Sequence, residues 1–140
     1  MLTVTNLVYT DSLHDVSLDH LTGLFAHWGS PPAPEAILRI FQGSGRVILA
    51  RDGQKGPVIG YITAITDGVS TAYIPHLEVR AEWQGQGIGS ELVRQMVEQL
   101  NHIYAIDLMC DPELQPFYAK QGFRAWTGML IRNYDRQSCA

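Results

Sequence analysis

The segment from residue 76 to residue 91, HLEVRAEWQGQGIGSE, constrains the fold of this chain more than any other part of it. An apolar strand end at Leu77 and Val79 is followed by a short turn, and the next residues open a predicted helix that runs to about Leu100. Gly85, Gly87 and Gly89 leave a line of backbone N–H groups with almost no side chains in front of them. The first four N–H groups of a helix lack intrahelical partners, and the helix dipole is positive at that end. The segment therefore predicts a phosphate-binding loop.

The spacing of the glycines separates the classes of phosphate-binding loop. A dinucleotide-binding loop has G-x-G-x-x-G, with an acidic residue about 20 residues later, and a P-loop has a Lys after its last glycine. Neither pattern is present here. The pattern that fits is Q/R-x-x-G-x-G, with Gln84, Gly87 and Gly89 in the fixed places. The alternative is a glycine-rich helix start that serves only close packing.

A second motif lies further along the chain. Residues 117–123 read FYAKQGF, which resembles the FYxKxGF signature of the GNAT superfamily of N-acetyltransferases. The Q/R-x-x-G-x-G run is similar to the acetyl-CoA-binding segment of the same superfamily. The two motifs occur in the right order, with room between them for one helix, one strand and the start of a second helix. The resemblance covers roughly residues 73–123, and the flanking segments agree only in pattern.

This resemblance implies both a cosubstrate and a reaction. Acetyl-CoA would be the acetyl donor, a primary amine would be the acceptor, and the acetyl group would pass directly between them in a ternary complex. In the superfamily the fourth strand carries a bulge that frees backbone groups for the acetyl and pantetheine amides. The stretch Leu77-Glu78-Val79 matches that place, with the Val79 N–H as the candidate oxyanion donor. The implied cofactor-binding residues are Leu77, Val79, Gln84, Gly85, Gln86, Gly87, Ile88, Gly89, Ser90 and Tyr118.

Tyr118 is the candidate general acid. A phenol has a pKa near 10, so it is protonated at neutral pH and can donate a proton to a departing thiolate. The alternative is a tyrosine that only forms a wall beside the pantetheine. This helix departs from the family pattern at Asp111, where relatives often have Asn, and a carboxylate fits poorly near CoA phosphates. We expect Asp111 to be a cap and the regular helix to begin at Pro116.

The general base is harder to assign. Glu78 and His76 lie two residues apart on the predicted strand, so their side chains share one face. Glu78 is the candidate base, with His76 or a chain of waters as alternatives. A salt bridge or a solvated strand face would explain Glu78 equally well. His14, His20, His27 and His102 form no metal-ligand spacing with one another or with the cysteines, so we predict no metal site.

Composition excludes several other functions. The formal net charge is −4, and there is no run of Lys or Arg, which argues against a nucleic-acid surface. Two cysteines and the absence of a signal-like segment indicate a reducing, cytoplasmic compartment. The apolar runs are too short to span a membrane. The acceptor is a small-molecule or peptide amine that nothing in residues 17–45 identifies, and a homodimer is compatible with the sequence. A non-catalytic acyl-CoA-binding module is the second interpretation.

The order of predicted elements indicates one α/β domain over residues 1–140. Strands in the first half follow one another directly, whereas those in the second half alternate with helices. We therefore expect a GNAT-like mixed, mostly antiparallel sheet of six to seven strands with helices on both faces. Strands are predicted at 3–9, 46–51, 58–64, 70–79 and 104–109, with one or two more in 123–134. Helices are predicted at 17–28, at 35–42, from the glycine loop to Leu100, and around Tyr118.

Overall fold

The computed structural model describes residues 6–140. Its strands are β1 (Leu7–Thr10), β2 (Arg46–Asp52), β3 (Val58–Thr66), β4 (Thr71–Val79) and β5 (Ala105–Leu108), and its α-helices are α1 (Pro34–Gly43), α2 (Ile88–Gln99) and α3 (Gln115–Ala119). Pro34 occupies the first turn of α1, as predicted, where its missing N–H costs nothing. The predicted first strand began at Thr3, and its first three residues lie outside the described part of the chain.

The five strands form one sheet in the order β1-β2-β3-β4-β5. Each of the first three neighbouring pairs is antiparallel, and β4 pairs with β5 in parallel. This confirms the mixed, mostly antiparallel sheet. The predicted number of six to seven strands is wrong, because the sheet has five within the described residues.

Two apolar clusters cover the two faces of the sheet. Ile48 and Ala50 of β2 pack with α2, whereas Val47 and Leu49 pack with α1 and the segment before it. Successive side chains of a strand point to opposite faces, so the two helices lie on opposite sides of the sheet. The expectation of helices on both faces is thereby confirmed.

The predicted helix over 17–28 is wrong. Only a single 3-10 turn forms, at Leu18–Leu21, and irregular turns follow it. Gly23 and Phe25 both adopt positive φ angles, 84° and 61°, which interrupt a right-handed helix. The apolar spacing predicted burial correctly, since Leu21, Leu24 and Phe25 are all buried.

The predicted strands in 123–134 are also absent. Within the described residues this segment pairs with no strand, and the regular element that follows it is a 3-10 turn at Tyr134–Arg136. The physical reason is that an open groove separates residues 123–129 from β5. The backbone has no partner there with which to form a ladder.

The parting of β4 from β5 creates the central feature of the fold. Their parallel pairing ends at Ile74 and Leu108, and the next residue of β4, Pro75, has no N–H to donate. The register of β3 against β4 also shifts between Thr63 and Ile65, so that β4 contains one extra residue there. The bulge was expected at Leu77-Glu78-Val79, but it lies earlier in β4, before His76. From Pro75 onwards, the edge of β4 that faced β5 borders an opening between the two strands.

Candidate active site

The glycine loop forms the predicted helix start. Gly85 and Gly87 adopt positive φ angles of 79° and 82°, and Gly87 is the N-cap of α2 without any side-chain cap hydrogen bond. The N–H of Glu91 bonds the carbonyl of Gly87 at 3.0 Å and closes the first turn. The N–H groups of Ile88, Gly89 and Ser90 therefore have no intrahelical acceptor. Nothing lies within 4 Å of the position that a Cβ on Gly87 would take, so the approach to these donors is open.

The loop, β4 and α3 meet at Gly89. A Cβ built on Gly89 would lie 3.6 Å from the ring of Phe117 and 3.8 Å from the side chain of Val79. The Gln84 side-chain amide donates to the Val79 carbonyl at 2.9 Å, so this side chain ties the loop to β4. The two sequence motifs, which are far apart in the chain, therefore lie side by side.

The ladder between β3 and β4 determines which backbone groups of β4 are free. Arg80 N–H bonds Ile59 carbonyl at 2.8 Å, and Val79 stands opposite Gly60 in the register. Residues of an antiparallel strand alternate between facing their partner strand and facing away. The N–H groups of Leu77 and Val79 therefore point away from β3, towards the opening that β5 has left.

The side chains of β4 divide between the two faces of the sheet as predicted. Leu77 and Val79 pack against the core on the α2 face. His76 lies on the other face, where its ring contacts Phe25 at 5.1 Å and Trp28 at 5.7 Å between ring centres. Glu78 is directed to the same face as His76, towards the irregular segment 22–28.

Both carboxylate oxygens of Glu78 accept backbone hydrogen bonds. The Phe25 N–H donates to Oε1 at 2.7 Å and the Ala26 N–H donates to Oε2 at 3.1 Å. Tyr61, directly opposite Glu78 in the ladder, also hydrogen-bonds it, and burial together with this anion raises the pKa of the Tyr61 phenol far above its usual range. The carboxylate of Glu78 is therefore held in place by a preformed set of donors.

A small cavity of about 120 Å³ opens beside this carboxylate. Its lining combines one anion, His76 and several aromatic rings: Phe25, Trp28 and Tyr61. Burial lowers the pKa of His76, and the charge of Glu78 opposes that shift in part. His76 is consequently neutral at pH 7. The sequence analysis missed Tyr61, although its place opposite Glu78 follows from the strand register.

Tyr118 lies on α3 and is 9% exposed. Its ring makes edge contacts with Phe117 and Phe123, with ring centres 4.9 Å and 5.9 Å away. Burial raises the pKa of Tyr118 to about 12, with a smaller contribution from Cys110. The phenol therefore keeps its proton at neutral pH. α3 begins at Gln115, one residue before the predicted start, and Asp111 caps the preceding turn through its carbonyl.

Other chemistries have little support in the described residues. Within 6–140, no three His, Cys, Asp or Glu side chains are grouped closely enough to hold a metal ion. Burial raises the pKa of the Cys110 thiol, and Asp111 and Glu113 add to the effect, so Cys110 is poorly suited to act as a nucleophile. None of the helices in this part of the chain combines the length and apolarity needed to cross a bilayer.

Known proteins resemble this chain in sequence and in fold. The profile of the acetyltransferase (GNAT) family matches residues 12–123. The chain belongs to the GNAT acetyltransferase family. A structure from Deinococcus radiodurans, provisionally described as an acetyltransferase, is 37% identical, with a TM-score of 0.93 over 99% of this chain and 96% of that one. An uncharacterized N-acetyltransferase, ycf52 of Pyropia yezoensis, is 26% identical over 121 residues, which are 83% of this chain and 70% of the relative.

The family assignment identifies the protein as an acetyltransferase. GNAT acetyltransferases generally use acetyl-CoA, and their acceptors differ from one member to another. A further GNAT structure, SP0256 from Streptococcus pneumoniae, is 26% identical, with a TM-score of 0.73 over 91% of this chain and 98% of that one.

Proposed function

We propose that this GNAT acetyltransferase transfers an acetyl group from acetyl-CoA directly to a primary amine. The observation that carries the proposal is the uncapped, glycine-lined start of α2 beside the end of β4, which pairs with β3 but has separated from β5. The start of α2 suits the pyrophosphate of acetyl-CoA. The free edge of β4 suits the amide and thioester groups of the pantetheine arm that extends from the pyrophosphate. The two lie side by side, since a Cβ built on Gly89 would lie 3.8 Å from the side chain of Val79.

The residues of the loop fit CoA through their backbone. The N–H groups of Ile88, Gly89 and Ser90 would receive the pyrophosphate, and the open space at Gly87 permits its close approach. Gly85 and Gln86 complete the turn that presents these donors. Gln84 contributes by holding the loop to Val79 rather than by a free side chain.

The free edge of β4 would then hold the reacting end of the cosubstrate. Bound acetyl-CoA supplies an activated thioester carbonyl. The N–H of Val79 is our proposed donor to the oxygen of that carbonyl, and the backbone of Leu77 is the proposed partner of the pantetheine amides. A preorganised N–H donor of this kind typically contributes 10²- to 10³-fold to the rate. Only the backbone takes part, because both side chains belong to the core.

Tyr118 is the proposed general acid. Its phenol is protonated at neutral pH. α3 lies beside the loop, since a Cβ built on Gly89 would lie 3.6 Å from the ring of Phe117. The sulfur of an intact thioester is a very weak base, so Tyr118 keeps its proton while the thioester is intact. As the bond between the acetyl carbon and the sulfur breaks, the sulfur becomes a thiolate, which is basic enough to take the proton from the phenol. This is the behaviour that a general acid requires.

The amine would occupy the aromatic cavity on the other face of β4. An alkylammonium has a pKa near 10.4, and its deprotonation at pH 7 costs about 4 to 5 kcal/mol. Glu78 was our candidate base from the sequence. Its oxygens already accept two backbone N–H groups, which favours a role in attracting the ammonium and fixing the wall of the cavity. We propose the neutral His76, on the same wall, as the group that takes the proton.

The proposed function is tested by thiol release from acetyl-CoA across a panel of amines. The panel should contain polyamines, amino sugars, free amino acids and peptides with a free N-terminus or lysine. At least one amine should accelerate release over water alone, and the acetylated amine should be found by mass spectrometry. Tight CoA binding with no amine-dependent release would instead identify a non-catalytic acyl-CoA-binding module.

A further inference from the structure

Four aromatic rings meet in the cavity beside Glu78. The centre of the Phe25 ring lies 4.8 Å from that of Trp28 and 5.1 Å from that of His76. The fourth ring is that of Tyr61, with its centre 5.5 Å from that of Phe25. Trp28 and His76 meet the Phe25 ring at 76° and 73°, so these rings form the corners of a box and are not stacked. We call the four rings the aromatic cage, because the faces of such rings attract a cation.

The carboxylate of Glu78 adds a hydrogen-bond acceptor to the cage. A carboxylate offers about four acceptor positions. In the described part of the chain, the N–H groups of Phe25 and Ala26 and the hydroxyl of Tyr61 supply three donors. The carboxylate therefore has the capacity to accept one more. A ligand that suits this acceptor and the aromatic faces is both a donor and a cation, as an alkylammonium is.

The cavity is narrow. Its volume is about 120 Å³, and a water molecule takes up about 30 Å³ of the liquid. A methylene group is close to a water in size, so the cavity holds an ammonium nitrogen and about three methylene carbons. Sites that enclose a whole drug-sized ligand measure roughly 300 to 1,000 Å³. Only one end of an acceptor can therefore enter this cavity.

Acceptors whose amine stands on a branched carbon fit the cage poorly. A second carbon beside the nitrogen needs width that the rings occupy. An amino sugar would also bring hydroxyl groups against aromatic walls, and burying them without partners is unfavourable. The α-amine of an amino acid would bring its own carboxylate close to Glu78, and like charges repel. An unbranched chain avoids all three penalties.

We infer that the acceptor carries an unbranched aminoalkyl chain, whose terminal ammonium enters the aromatic cage and is bound by Glu78. This inference rests on the proposed function and narrows its primary amine to one chemical class. Linear diamines and polyamines carry such a group, and so does a lysine side chain in a peptide. Trp28 offers the most direct test by substitution, because it is only partly buried, whereas Phe25 and Tyr61 belong to the core.

Free lysine tests the inference within one molecule. Its ε-amine ends an unbranched chain, whereas its α-amine stands beside a carboxylate. The α-amine has the lower pKa and is the more available nucleophile at neutral pH, so uncatalysed acetylation favours it. With the full chain and acetyl-CoA we expect Nε-acetyllysine in at least about tenfold excess over Nα-acetyllysine, measured by NMR. A product that is mainly Nα-acetyllysine would overturn the inference.

A pair of isomeric amines tests the width of the cage. n-Butylamine and sec-butylamine have the same composition and similar basicity, and kcat/KM should be at least about tenfold higher for the unbranched isomer. Trp28→Leu removes an aromatic face and should lower kcat/KM for n-butylamine about tenfold, whereas Trp28→Phe keeps a face and should lose less. Tyr104→Leu is the control, since Tyr104 is 95% exposed and does not line the cavity. Circular dichroism would verify that the variants are folded.

Two further acceptors distinguish the sources of the aminoalkyl chain. One is a linear diaminoalkane, and the other is a peptide with a blocked N-terminus and a single lysine. The higher kcat/KM identifies the source as a small molecule or as a lysine side chain, and either result supports the inference.

Failure of this inference is distinguishable from failure of the proposed function. Equal turnover of the two butylamines would overturn the inference while acetyl transfer to amines stands. If no amine is acetylated, the proposed function fails, and binding of n-butylammonium to the CoA-bound chain, followed by ligand-observed NMR, tests the cage alone. Binding that is weakened in Trp28→Leu but not in Tyr104→Leu would support the cage. Absence of binding, or equal binding to all three chains, would overturn it.

Discussion

Glu78 holds the backbone of Phe25 in a conformation that a phenylalanine rarely adopts. The Phe25 N–H lies 2.7 Å from Oε1 of Glu78, and the φ angle of Phe25 is 61°. A positive φ at a bulky residue costs of order 1 to 3 kcal/mol, so it persists only where its surroundings compensate. The conformation of Phe25 therefore depends on its hydrogen bond to Glu78. Both residues line the aromatic cavity, so this hydrogen bond helps to define its shape.

Replacing Glu78 by Gln should weaken both the loop and the reaction. One side-chain N–H₂ would then face a backbone donor, so we expect a loss of about 1 to 3 kcal/mol in the free energy of unfolding. Activity should fall by a similar factor across the range from pH 7 to about pH 9.5, because a fixed charge is lost rather than a base. Urea denaturation and pH–rate profiles measure the two effects.

The matched control for that change is Glu82→Gln. Glu82 is an exposed carboxylate only four residues away, and it does not line the aromatic cavity. The Glu82→Gln variant should change neither the free energy of unfolding nor kcat. Full activity in Glu78→Gln at neutral pH would make the carboxylate merely structural, and selective recovery at high pH would restore Glu78 as the base.

His76 should determine the acidic limb of the pH–rate profile. Burial lowers its pKa below the usual value near 6.5, so the imidazole is neutral and able to accept a proton at pH 7. Activity should fall only as the pH drops through this lowered pKa. Because Glu78 raises the pKa of His76, the Glu78→Gln variant should shift the acidic limb to still lower pH.

The variant His76→Phe keeps an aromatic ring against Phe25 and Trp28 and removes the acceptor nitrogen. Its activity should be lowest relative to wild type near neutral pH and should partly recover near pH 9.5, where more of the amine is already free. An equal loss at every pH would exclude His76 as the base and point to a water.

Gly87 offers a test of the phosphate cradle in which backbone strain is controlled. Gly87 and Gly53 have similar φ angles, 82° and 88°, and neither has an atom within 4 Å of a built Cβ. Gly87→Glu and Gly53→Glu should therefore lose comparable stability. Only Gly87→Glu places a side chain and a negative charge at the start of α2, and it should weaken acetyl-CoA binding by at least about tenfold.

Isothermal calorimetry on the two folded variants measures this difference directly. Unchanged acetyl-CoA affinity in Gly87→Glu would exclude the loop as the pyrophosphate site. An equal loss of affinity in both variants would show that strain, and not the cradle, accounts for the effect.

Tyr118→Phe should affect turnover rather than binding. The edge contacts with Phe117 and Phe123 are retained, and only the phenolic proton is removed. We expect kcat to fall by roughly 10²-fold or more, with little change in the KM for acetyl-CoA. Tyr104→Phe is the control, since Tyr104 is 95% exposed. Near wild-type turnover in Tyr118→Phe would reduce Tyr118 to a wall of the pocket.

The sequence predicted the parts of this site that depend on local patterns. The glycine loop, the start of α2 and the position of α3 follow from residue types at fixed spacing, and the shared face of His76 and Glu78 follows from strand alternation. The place where β4 leaves β5 was less accessible. It depends on the bulge before His76, which the ladder between β3 and β4 determines through long-range pairing.

Two segments were predicted incorrectly for a common reason. Residues 17–28 have the apolar spacing of a helix, but Glu78, which lies more than fifty positions away, fixes Phe25 in a turn. Residues 123–134 have the composition of strands but no partner strand among residues 6–140. In both segments the local pattern indicated a type of secondary structure. Whether its backbone hydrogen bonds form depends on residues that are distant in the sequence.

The central claim is that the cosubstrate and the amine bind together on either side of β4 and react directly. Initial velocities measured over a grid of acetyl-CoA and amine concentrations test this claim, using the best amine of the panel. We predict intersecting lines in double-reciprocal plots and no acetylated protein when acetyl-CoA is added without the amine. Parallel lines, together with an acetyl group found on the protein by mass spectrometry, would contradict the account and show a covalent intermediate.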